Sequence, residues 1–185
     1  MARLIYAANV SLDGFTEDGR GAFDWTRPDD DVFKFITELM GSAGTYLYGR
    51  RMYETLAAWE TDTNLAAQSD LTAAYSSTWR AADKVVYSST LAGPVTANTR
   101  IERDFDPSTI SSMKADASSD LLIGGPNLAA QALAAGLVDE LALFVWPIVL
   151  DGRNPLLPPA LRADLDLIDD HRFSSGAVFL RYRCT

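Results

Sequence analysis

The segment that decides the fold is residues 121–140, LLIGGPNLAAQALAAGLVDE. A short apolar run stops at two adjacent glycines, Gly124 and Gly125, and a helix-like segment follows from Pro126. Proline suits the first position of a helix, because its missing N–H has no partner there anyway. Gly136 stands where a helix commonly ends in a left-handed residue. The segment therefore predicts a strand, a tight turn and a helix.

A turn of this kind is suited to binding an anion. In an open α/β sheet, the helix that follows a strand begins at the carboxyl edge of the sheet, where ligands bind. The first turn of a helix carries unpaired N–H groups and a partial positive charge, and glycines let a phosphate approach the main chain. The alternative is a tight turn with no ligand. The segment matches neither the GxGxxG fingerprint nor the phosphate-binding loop, so both interpretations stay open.

The rest of the chain predicts strands that alternate with helices. The predicted strands are 3–10, 45–48, 84–89, 121–123 and 140–147, and the predicted helices are 32–40, one that starts just after Gly49, 71–82 and 126–135. Asp29 or Asp30 is expected to cap the helix at 32–40, and residues 174–176 are expected to turn a C-terminal hairpin. This order predicts a single α/β domain over 1–185, with a mostly parallel central sheet that ends in an antiparallel hairpin.

Composition argues against several classes of protein. The net charge is −9 and the 16 basic residues are scattered, which disfavours nucleic-acid binding. No apolar run reaches the roughly 18 residues of a membrane-spanning helix, and the N-terminal residues do not resemble a signal peptide, so a cytoplasmic protein is expected. With one Cys and one His in the chain, a zinc site or a Cys–His nucleophile pair is disfavoured.

Polar side chains also follow two other predicted strands. Arg50 and Arg51 come directly after Gly49, and residues 88–90, SST, end the strand at 84–89. A guanidinium group with nearby hydroxyls is well suited to binding a phosphate monoester. The alternative for Arg50 is an ion pair with Glu54 one helical turn away, and the alternative for the serines is a strand cap. Because parallel strands end at one edge of a sheet, these residues are expected to lie near the Gly124–Gly125 turn.

Together these motifs resemble the dihydrofolate reductase superfamily, and in particular stand-alone proteins similar to the reductase domain of bacterial riboflavin-biosynthesis deaminase/reductases. The resemblance extends over nearly the whole chain. It is carried by SLDGFTEDG at 11–19, YGRRMYE at 48–54, VYSST at 86–90, LIGGPNLAAQAL at 122–133 and GLVDELALFVWPIVLDGRNPLLP at 136–158. The zinc motifs of the deaminase half of those enzymes do not occur in this chain.

The resemblance implies a three-layer α/β/α dihydrofolate reductase-like fold that binds NADPH. The residues expected on the side of the adenosine 2′-phosphate are Gly49, Arg50, Ser88 and Ser89, with Arg51 as a further candidate. The residues expected around the pyrophosphate are Gly124, Gly125, Pro126, Asn127 and Leu128, with a cis peptide bond between the two glycines. The main chain at Ala8 is expected to contact the nicotinamide amide.

The resemblance also implies an activity, an NADPH-dependent reductase that transfers a hydride to a C=N or C=O of a small pterin-, pyrimidine- or related substrate. Asp13 or Asp30 is the expected proton source, with a pKa raised by burial against Trp25 and Phe23, and residues 11–31 are expected to form a lid. Asp30 has a second interpretation as an acid in the first turn of a helix.

Three aromatic residues, Trp25, Tyr53 and Trp59, are expected to line the substrate pocket; for Tyr53 and Trp59 the alternative is packing on a helix face. The family's riboflavin branch suggests a homodimer. The alternative function is a non-catalytic protein that binds a small molecule or nucleotide on the same scaffold.

Overall fold

The computed structural model describes all 185 residues as one large sheet flanked by helices, with a small two-stranded ribbon. The strands are β1 Leu4–Ser11, β2 Phe15–Glu17, β3 Ala43–Gly49, β4 Asp83–Tyr87, β5 Thr99–Glu102, β6 Asp120–Gly124, β7 Glu140–Trp146, β8 Arg153–Pro155, β9 Leu165–Arg172 and β10 Val178–Cys184. The helices are α1 Asp30–Gly41, α2 Arg50–Leu56, α3 Ala58–Thr61, α4 Thr63–Ala66, α5 Asp70–Ala81, α6 Pro107–Asp116 and α7 Pro126–Ala134. No helix is both long enough and apolar enough to span a membrane.

The strand order of the large sheet is β5-β4-β3-β6-β1-β7-β10-β9. The pairs from β5 to β7 are parallel, and β10 runs antiparallel to both β7 and β9. The ribbon of β2 and β8 is antiparallel and separate from this sheet. The prediction of a mostly parallel sheet that closes with a C-terminal hairpin is confirmed.

Helices cover both faces of the sheet. On the front face, defined by α1, α2 and α5, Val32, Tyr53 and Trp79 are fully buried in one hydrophobic cluster. On the back face, defined by α6 and α7, Ile110 and Leu128 belong to a second cluster. The architecture is therefore the expected three-layer α/β/α arrangement.

Local sequence signals set several of the element ends. The Asp29 side chain accepts a hydrogen bond from the Val32 N–H at 3.0 Å and caps α1, so the cap is Asp29 rather than Asp30. Gly136 has φ +65° just beyond α7, as its position predicted. Asp29 therefore begins α1, and Gly136 ends α7 before β7 begins.

The expected cis peptide bond between Gly124 and Gly125 is wrong, because every peptide bond in the chain is trans. The chain turns from β6 into α7 through a positive φ of +91° at Gly125 instead. Only glycine adopts this conformation without strain, so the second glycine is required by the turn itself.

Candidate active site

The three strand ends singled out in the sequence lie side by side. In the sheet register, Tyr48 of β3 is opposite Gly124 of β6, and Gly49 of β3 is opposite Tyr87 of β4. Because these strands are parallel, the residues that follow them meet at the carboxyl edge of the sheet. We call residues 49–50, 88–91, 103 and 124–128 at this edge the cofactor rim.

Arg50 contacts two neighbours on the cofactor rim. Its Nη1 donates to Thr90 Oγ1 at 2.9 Å, which joins the end of β3 to the loop after β4. Its Nε donates to Glu54 Oε1 at 2.8 Å, within α2. Arg50 therefore lies beside the loop after β4, and it also forms the helical ion pair, in which Glu54 offsets part of its charge.

The two serines after β4 have different environments. Ser88 is buried, and its Oγ accepts hydrogen bonds from the N–H groups of Thr90 at 3.3 Å and Leu91 at 3.0 Å. Its hydroxyl therefore shapes the loop. Ser89, by contrast, is exposed.

Arg103 is a rim residue that sequence reasoning missed. It follows β5, and its Nη1 donates to the carbonyl oxygens of Ser88 at 3.0 Å and Leu91 at 2.7 Å. No carboxylate lies within ion-pair distance, so its charge is not offset by a partner, unlike that of Arg50. The available signal was a cation directly after a strand, but residues 94–116 have only weak strand and helix patterns, and no strand was predicted there.

The glycine turn leaves a short stretch of main chain open. A Cβ at Gly124 would lie 2.5 Å from Met52 Sδ, near the end of a flexible side chain, so a residue other than glycine would require Met52 to move. No side chain caps α7, and its first backbone bond runs from Ala129 N to Gly125 O. The N–H groups of Asn127 and Leu128, which precede that bond, are left to meet an anion.

Beside this turn the central sheet has a gap. Strand β1 pairs with β6 only as far as Tyr6, whereas its pairing with β7 continues to Ser11. From Ala7 onward, one edge of β1 has no partner strand, and Ala7, Ala8 and Asn9 are partly exposed although they lie in the middle of the sheet. Main-chain groups near Ala8 are therefore accessible from a crevice at the carboxyl edge.

Asp13 does not have the environment expected of a proton donor. It is exposed, and its carboxylate accepts hydrogen bonds from the N–H groups of Leu150 at 3.1 Å and Asp151 at 2.8 Å. The Ser11 hydroxyl is the largest cause that lowers the pKa of Asp13, and these two N–H groups act in the same direction. The expectation of a raised pKa is therefore wrong for Asp13. Its hydrogen bonds join the first loop, residues 11–31, to the segment after β7, and we call these contacts the clasp.

Asp30 is an exposed residue in the first turn of α1. This is the second of the two interpretations given above. Phe23, which was expected to help bury an acid, is 48% exposed. The structure therefore offers no apolar enclosure around Asp30.

Arg51 points to the first loop instead of the phosphate side. Its Nη2 lies 3.2 Å from Glu17 Oε1, and it also donates to the Gly21 carbonyl at 3.4 Å. Asn154 of β8 donates to the same Glu17 side chain at 2.8 Å. Glu17 therefore connects the first loop to α2 and to β8.

The three aromatic residues expected around the substrate differ in burial. Tyr53 is fully buried, and its hydroxyl bonds Thr96 Oγ1 at 2.9 Å and the Val95 N–H at 2.8 Å, which places it in the core rather than on a pocket wall. Trp59 packs against Tyr75 with ring centroids 4.5 Å apart, as helix-face packing predicts. Helical spacing alone did not separate core packing from pocket lining.

Trp25 is the aromatic residue with an unused polar atom. It packs against the front-face cluster, and its Nε1 is buried without any hydrogen-bond acceptor in the protein. Buried polar groups are nearly always paired, so an unpaired donor at this position requires an explanation.

Asn9 is a further polar residue of this region that the sequence reasoning missed. Trp146 Nε1 donates to Asn9 Oδ1 at 2.9 Å across β1 and β7. The available signal was a single amide within the otherwise apolar run LIYAANV. Its position at the open part of β1 was not visible, because that depends on where the pairing with β6 stops.

The residues of the cofactor rim fit an anionic dinucleotide. Two guanidinium groups flank a loop with an exposed hydroxyl, and the open start of α7 lies on the neighbouring strand end. Guanidinium groups suit a phosphate monoester, and unpaired helix N–H groups suit a bridging phosphate. The edge of β1 that has no partner strand from Ala7 onward lies beside this turn.

Comparison with known proteins agrees with this geometry. The model of the RibD C-terminal domain family matches residues 2–179. The chain is 28% identical over 186 residues to the uncharacterized protein YyaP of Bacillus subtilis strain 168, which covers 97% of this chain and 94% of that protein.

Solved structures show the same fold. A putative riboflavin biosynthesis protein from Shewanella sp. PV-4 superposes with a TM-score of 0.77 at 20% identity, covering 100% of this chain and 99% of the other. Acinetobacter baumannii RibD gives a TM-score of 0.69 at 17% identity, with this chain spanning 58% of its length. The fold is that of the dihydrofolate reductase-like RibD reductase domains. The protein described by this sequence and structure belongs to the RibD C-terminal domain family.

Proposed function

We propose that this protein is an NADPH-dependent reductase that transfers a hydride to a C=N or C=O of a small pterin-, pyrimidine- or related heterocycle. Membership of a reductase-domain family supports the reaction class. The observation that carries the cofactor assignment is the cofactor rim, where Arg50, Arg103 and the 88–91 loop stand beside the open start of α7. A cytoplasmic location is part of the same proposal.

The residues of the chain bind and orient the cofactor in this proposal. Arg50, Arg103 and the Ser89 hydroxyl hold the 2′-phosphate, and the N–H groups of Asn127 and Leu128 hold the pyrophosphate. The main chain at Ala8 orients the nicotinamide amide in the crevice. NADPH, when bound, supplies the hydride, and the chain contributes by holding the acceptor carbon in reach.

The first loop closes over the front-face side of the crevice in this proposal. Asp13 clasps the residues after β7, and Glu17 pairs with Arg51. Trp25 of the same loop packs against the front-face cluster. Since Asp13 is exposed and Asp30 stands at the start of α1, we assign the proton that accompanies the hydride to solvent rather than to either carboxylate.

The test of the cofactor assignment is calorimetric titration of NADPH and NADH into the wild type and Arg50→Ala. We expect the wild type to prefer NADPH, and Arg50→Ala to lose mainly that preference. Arg162→Ala is the matched control, because Arg162 is exposed and has no ion-pair partner, so it makes the same change in net charge away from the rim. A wild type that binds neither dinucleotide would show that the cofactor assignment is wrong.

A second candidate function is a non-catalytic protein that binds a nucleotide or small molecule on this scaffold. The observation that favours it is the environment of Asp13, whose lowered pKa does not suit a proton donor. NADPH binding without NADPH oxidation across a panel of pterins and pyrimidines would support this candidate. Oxidation that is unchanged in Asp13→Asn and Asp30→Asn would support a reductase that takes its proton from solvent.

We also propose that the protein forms a homodimer through β9. This strand is the last of the sheet, all eight of its residues are exposed, and it presents Leu165, Leu167 and Ile168 to solvent. An exposed apolar edge strand tends to be covered by another chain. Analytical ultracentrifugation is expected to show a dimer for the wild type and a monomer for Leu167→Lys. Val95→Lys, at another exposed apolar residue, is expected to remain dimeric.

A further inference from the structure

The loop between β4 and β5 is joined to helix α2 by hydrogen bonds from two side chains. This loop, residues 88–98, contains neither helix nor strand and carries Ser89 and Thr90 of the cofactor rim, and we call it the rim loop. The first side chain is Arg50, whose exposed bond to Thr90 Oγ1 measures 2.9 Å. The second is Tyr53, one turn further along α2, which reaches the rim loop from within the core.

The Tyr53 hydroxyl belongs to a chain of hydrogen bonds whose direction can be assigned, because each hydroxyl has one hydrogen to donate. Thr99 Oγ1 donates to the Ala97 carbonyl at 2.8 Å, so Thr96 Oγ1 donates to Thr99 Oγ1 at 2.8 Å. Tyr53 Oη therefore donates to Thr96 Oγ1 at 2.9 Å, and it accepts from the Val95 N–H at 2.8 Å. Every hydroxyl of this chain thus both donates and accepts.

The bonds of Tyr53 are enclosed by protein, unlike the bond of Arg50. Tyr53 is fully buried, and Thr96 is only 9% exposed. An exposed hydrogen bond competes with water, whereas a buried group that loses its partner has no water to replace it. Without the Tyr53 hydroxyl, the Val95 N–H would lose its acceptor. Tyr53 is therefore the firmer of the two connections between α2 and the rim loop.

Other side chains hold the rim loop to elements other than α2. Arg103, after β5, donates to the carbonyls of Ser88 and Leu91. Glu60 of α3 accepts from the Ala97 N–H at 2.7 Å. These contacts shape the loop but do not fix its distance from Arg50. That distance depends on Tyr53, because one turn of helix is rigid and carries the position of Tyr53 to the first residue of α2.

We propose that Tyr53 is a positioning residue that sets the spacing between Arg50 and residues 89–90, and thereby the preference for a dinucleotide with a 2′-phosphate. Tyr53 itself touches neither the phosphate nor the substrate. A spacing that is fixed before binding reduces the ordering that the phosphate must impose, and only NADPH gains from this. This inference rests on the proposed function, because it takes Arg50 as a ligand of the phosphate.

Two variants break the connection from its two sides. Tyr53→Phe keeps the ring and loses the hydroxyl, and calorimetric titration is expected to show NADPH affinity reduced about fivefold with NADH affinity unchanged. Thr96→Val keeps the shape of the side chain and is expected to reduce NADPH affinity about threefold, again without an effect on NADH. Tyr46→Phe is the matched control, because Tyr46 is equally buried and its hydroxyl donates to the Met40 carbonyl, away from the rim. It is expected to bind both dinucleotides as the wild type does.

A double variant tests whether Tyr53 acts through Arg50. Once Arg50 is removed, its spacing from the rim loop no longer matters. Arg50→Ala combined with Tyr53→Phe is therefore expected to reduce NADPH affinity by less than the product of the two single reductions. In the cofactor-free protein, amide hydrogen exchange over residues 88–98 is expected to be faster in Tyr53→Phe than in the wild type or Tyr46→Phe.

The outcomes separate this inference from the cofactor assignment. A wild type that binds neither dinucleotide overturns the cofactor assignment and this inference with it. If the wild type prefers NADPH, the inference alone is overturned when Tyr53→Phe, shown by circular dichroism to be folded, keeps that preference or weakens both dinucleotides equally. Thr96→Val decides in the same way if Tyr53→Phe does not fold. Unchanged hydrogen exchange in the rim loop, or a double variant that shows the full product, also overturns the inference.

Discussion

The amino and carboxyl edges of the sheet differ in whether their polar groups have partners within the chain. At the amino edge, Arg3 pairs with Asp120 at 2.5 Å and with Glu140 at 2.9 Å, and Arg181 pairs with the same Glu140 at 2.6 Å. At the carboxyl edge, Arg103 has no carboxylate partner. The arginines named at the amino edge are therefore paired with carboxylates of the chain, whereas Arg103 at the carboxyl edge is not.

The difference extends to buried and main-chain donors. Buried Lys114, also near the amino edge, bonds Asp139 at 2.6 Å and the Leu137 carbonyl at 2.9 Å. At the carboxyl edge, the N–H groups of Asn127 and Leu128 and the amide nitrogen of Asn9 have no partner in the protein. These donors at the carboxyl edge are available to a ligand, as the proposed function requires.

The largest expected effect is at the amino edge, for Glu140→Gln. Glu140 is 2% exposed and lies between two guanidinium groups, so loss of its charge leaves Arg181 without a carboxylate partner and Arg3 with Asp120 alone. We expect the free energy of unfolding to fall by about 3 kcal/mol, measured by urea denaturation. NADPH affinity of the folded protein is expected to stay unchanged.

Glu38→Gln is the control for this change, because Glu38 is an exposed residue of α1 with a loose pair to Lys34 at 4.0 Å. Its unfolding curve is expected to match that of the wild type. Loss of NADPH affinity in folded Glu140→Gln would break the comparison, since the amino edge would then contribute to binding.

The next effect concerns the clasp of the first loop at the carboxyl edge, tested by Gly152→Ala. A Cβ at Gly152 would overlap the Glu17 carbonyl oxygen, so the β2–β8 ribbon must shift. We expect a loss of about 2 kcal/mol in stability, as for other overpacked sites. We also expect faster cleavage within residues 11–28 in limited proteolysis. Gly93→Ala, with open space around its Cβ position, is the control; equal cleavage rates for the two variants would contradict the clasp.

Much of the fold was predictable where a local pattern determines the structure. The apolar stripe at 32–40 predicted α1, and Gly136 predicted the end of α7. The short strand β5 and helix α6 were not predicted with definite bounds, because their sequence pattern is weak. Strand β5 is defined by its pairing with β4, and α6 by the cap that Asp106 provides.

The candidate site was predictable only in part, for a related reason. Strand ends identify residues at the carboxyl edge, and Arg50 and the Gly124–Gly125 turn are found there. The sequence did not show that Tyr53 faces the core, because a helix face that packs on a sheet and one that lines a pocket have the same periodicity. It also did not show that Asn9 lies beyond the last β1–β6 pair, since that depends on strand order.

Arg103→Ala tests whether the arginine without an acidic partner contributes more to NADPH binding than Arg50 does. Arg103 has no acidic partner, whereas Glu54 offsets part of the charge of Arg50. We therefore expect Arg103→Ala to reduce NADPH affinity about tenfold, which is about 1.4 kcal/mol, and to reduce it more than Arg50→Ala does. NADH affinity is expected to remain unchanged in both variants. Calorimetry at a fixed salt concentration measures this, and an equal loss for NADPH and NADH would contradict a role at the 2′-phosphate.

The smallest expected effect is a gain, in Glu54→Gln. This change removes the acidic partner of Arg50, whose Nε lies 2.8 Å from Glu54 Oε1. Arg50 then has no carboxylate partner, as is already the case for Arg103. Exposed pairs of this kind contribute only about 0.5 kcal/mol, so NADPH affinity is expected to rise about two- to threefold while NADH affinity stays constant. Glu38→Gln, which makes the same charge change away from the rim, controls for net charge. An unchanged NADPH affinity in Glu54→Gln would mean that an acidic partner does not reduce the contribution of an arginine to NADPH binding at this edge.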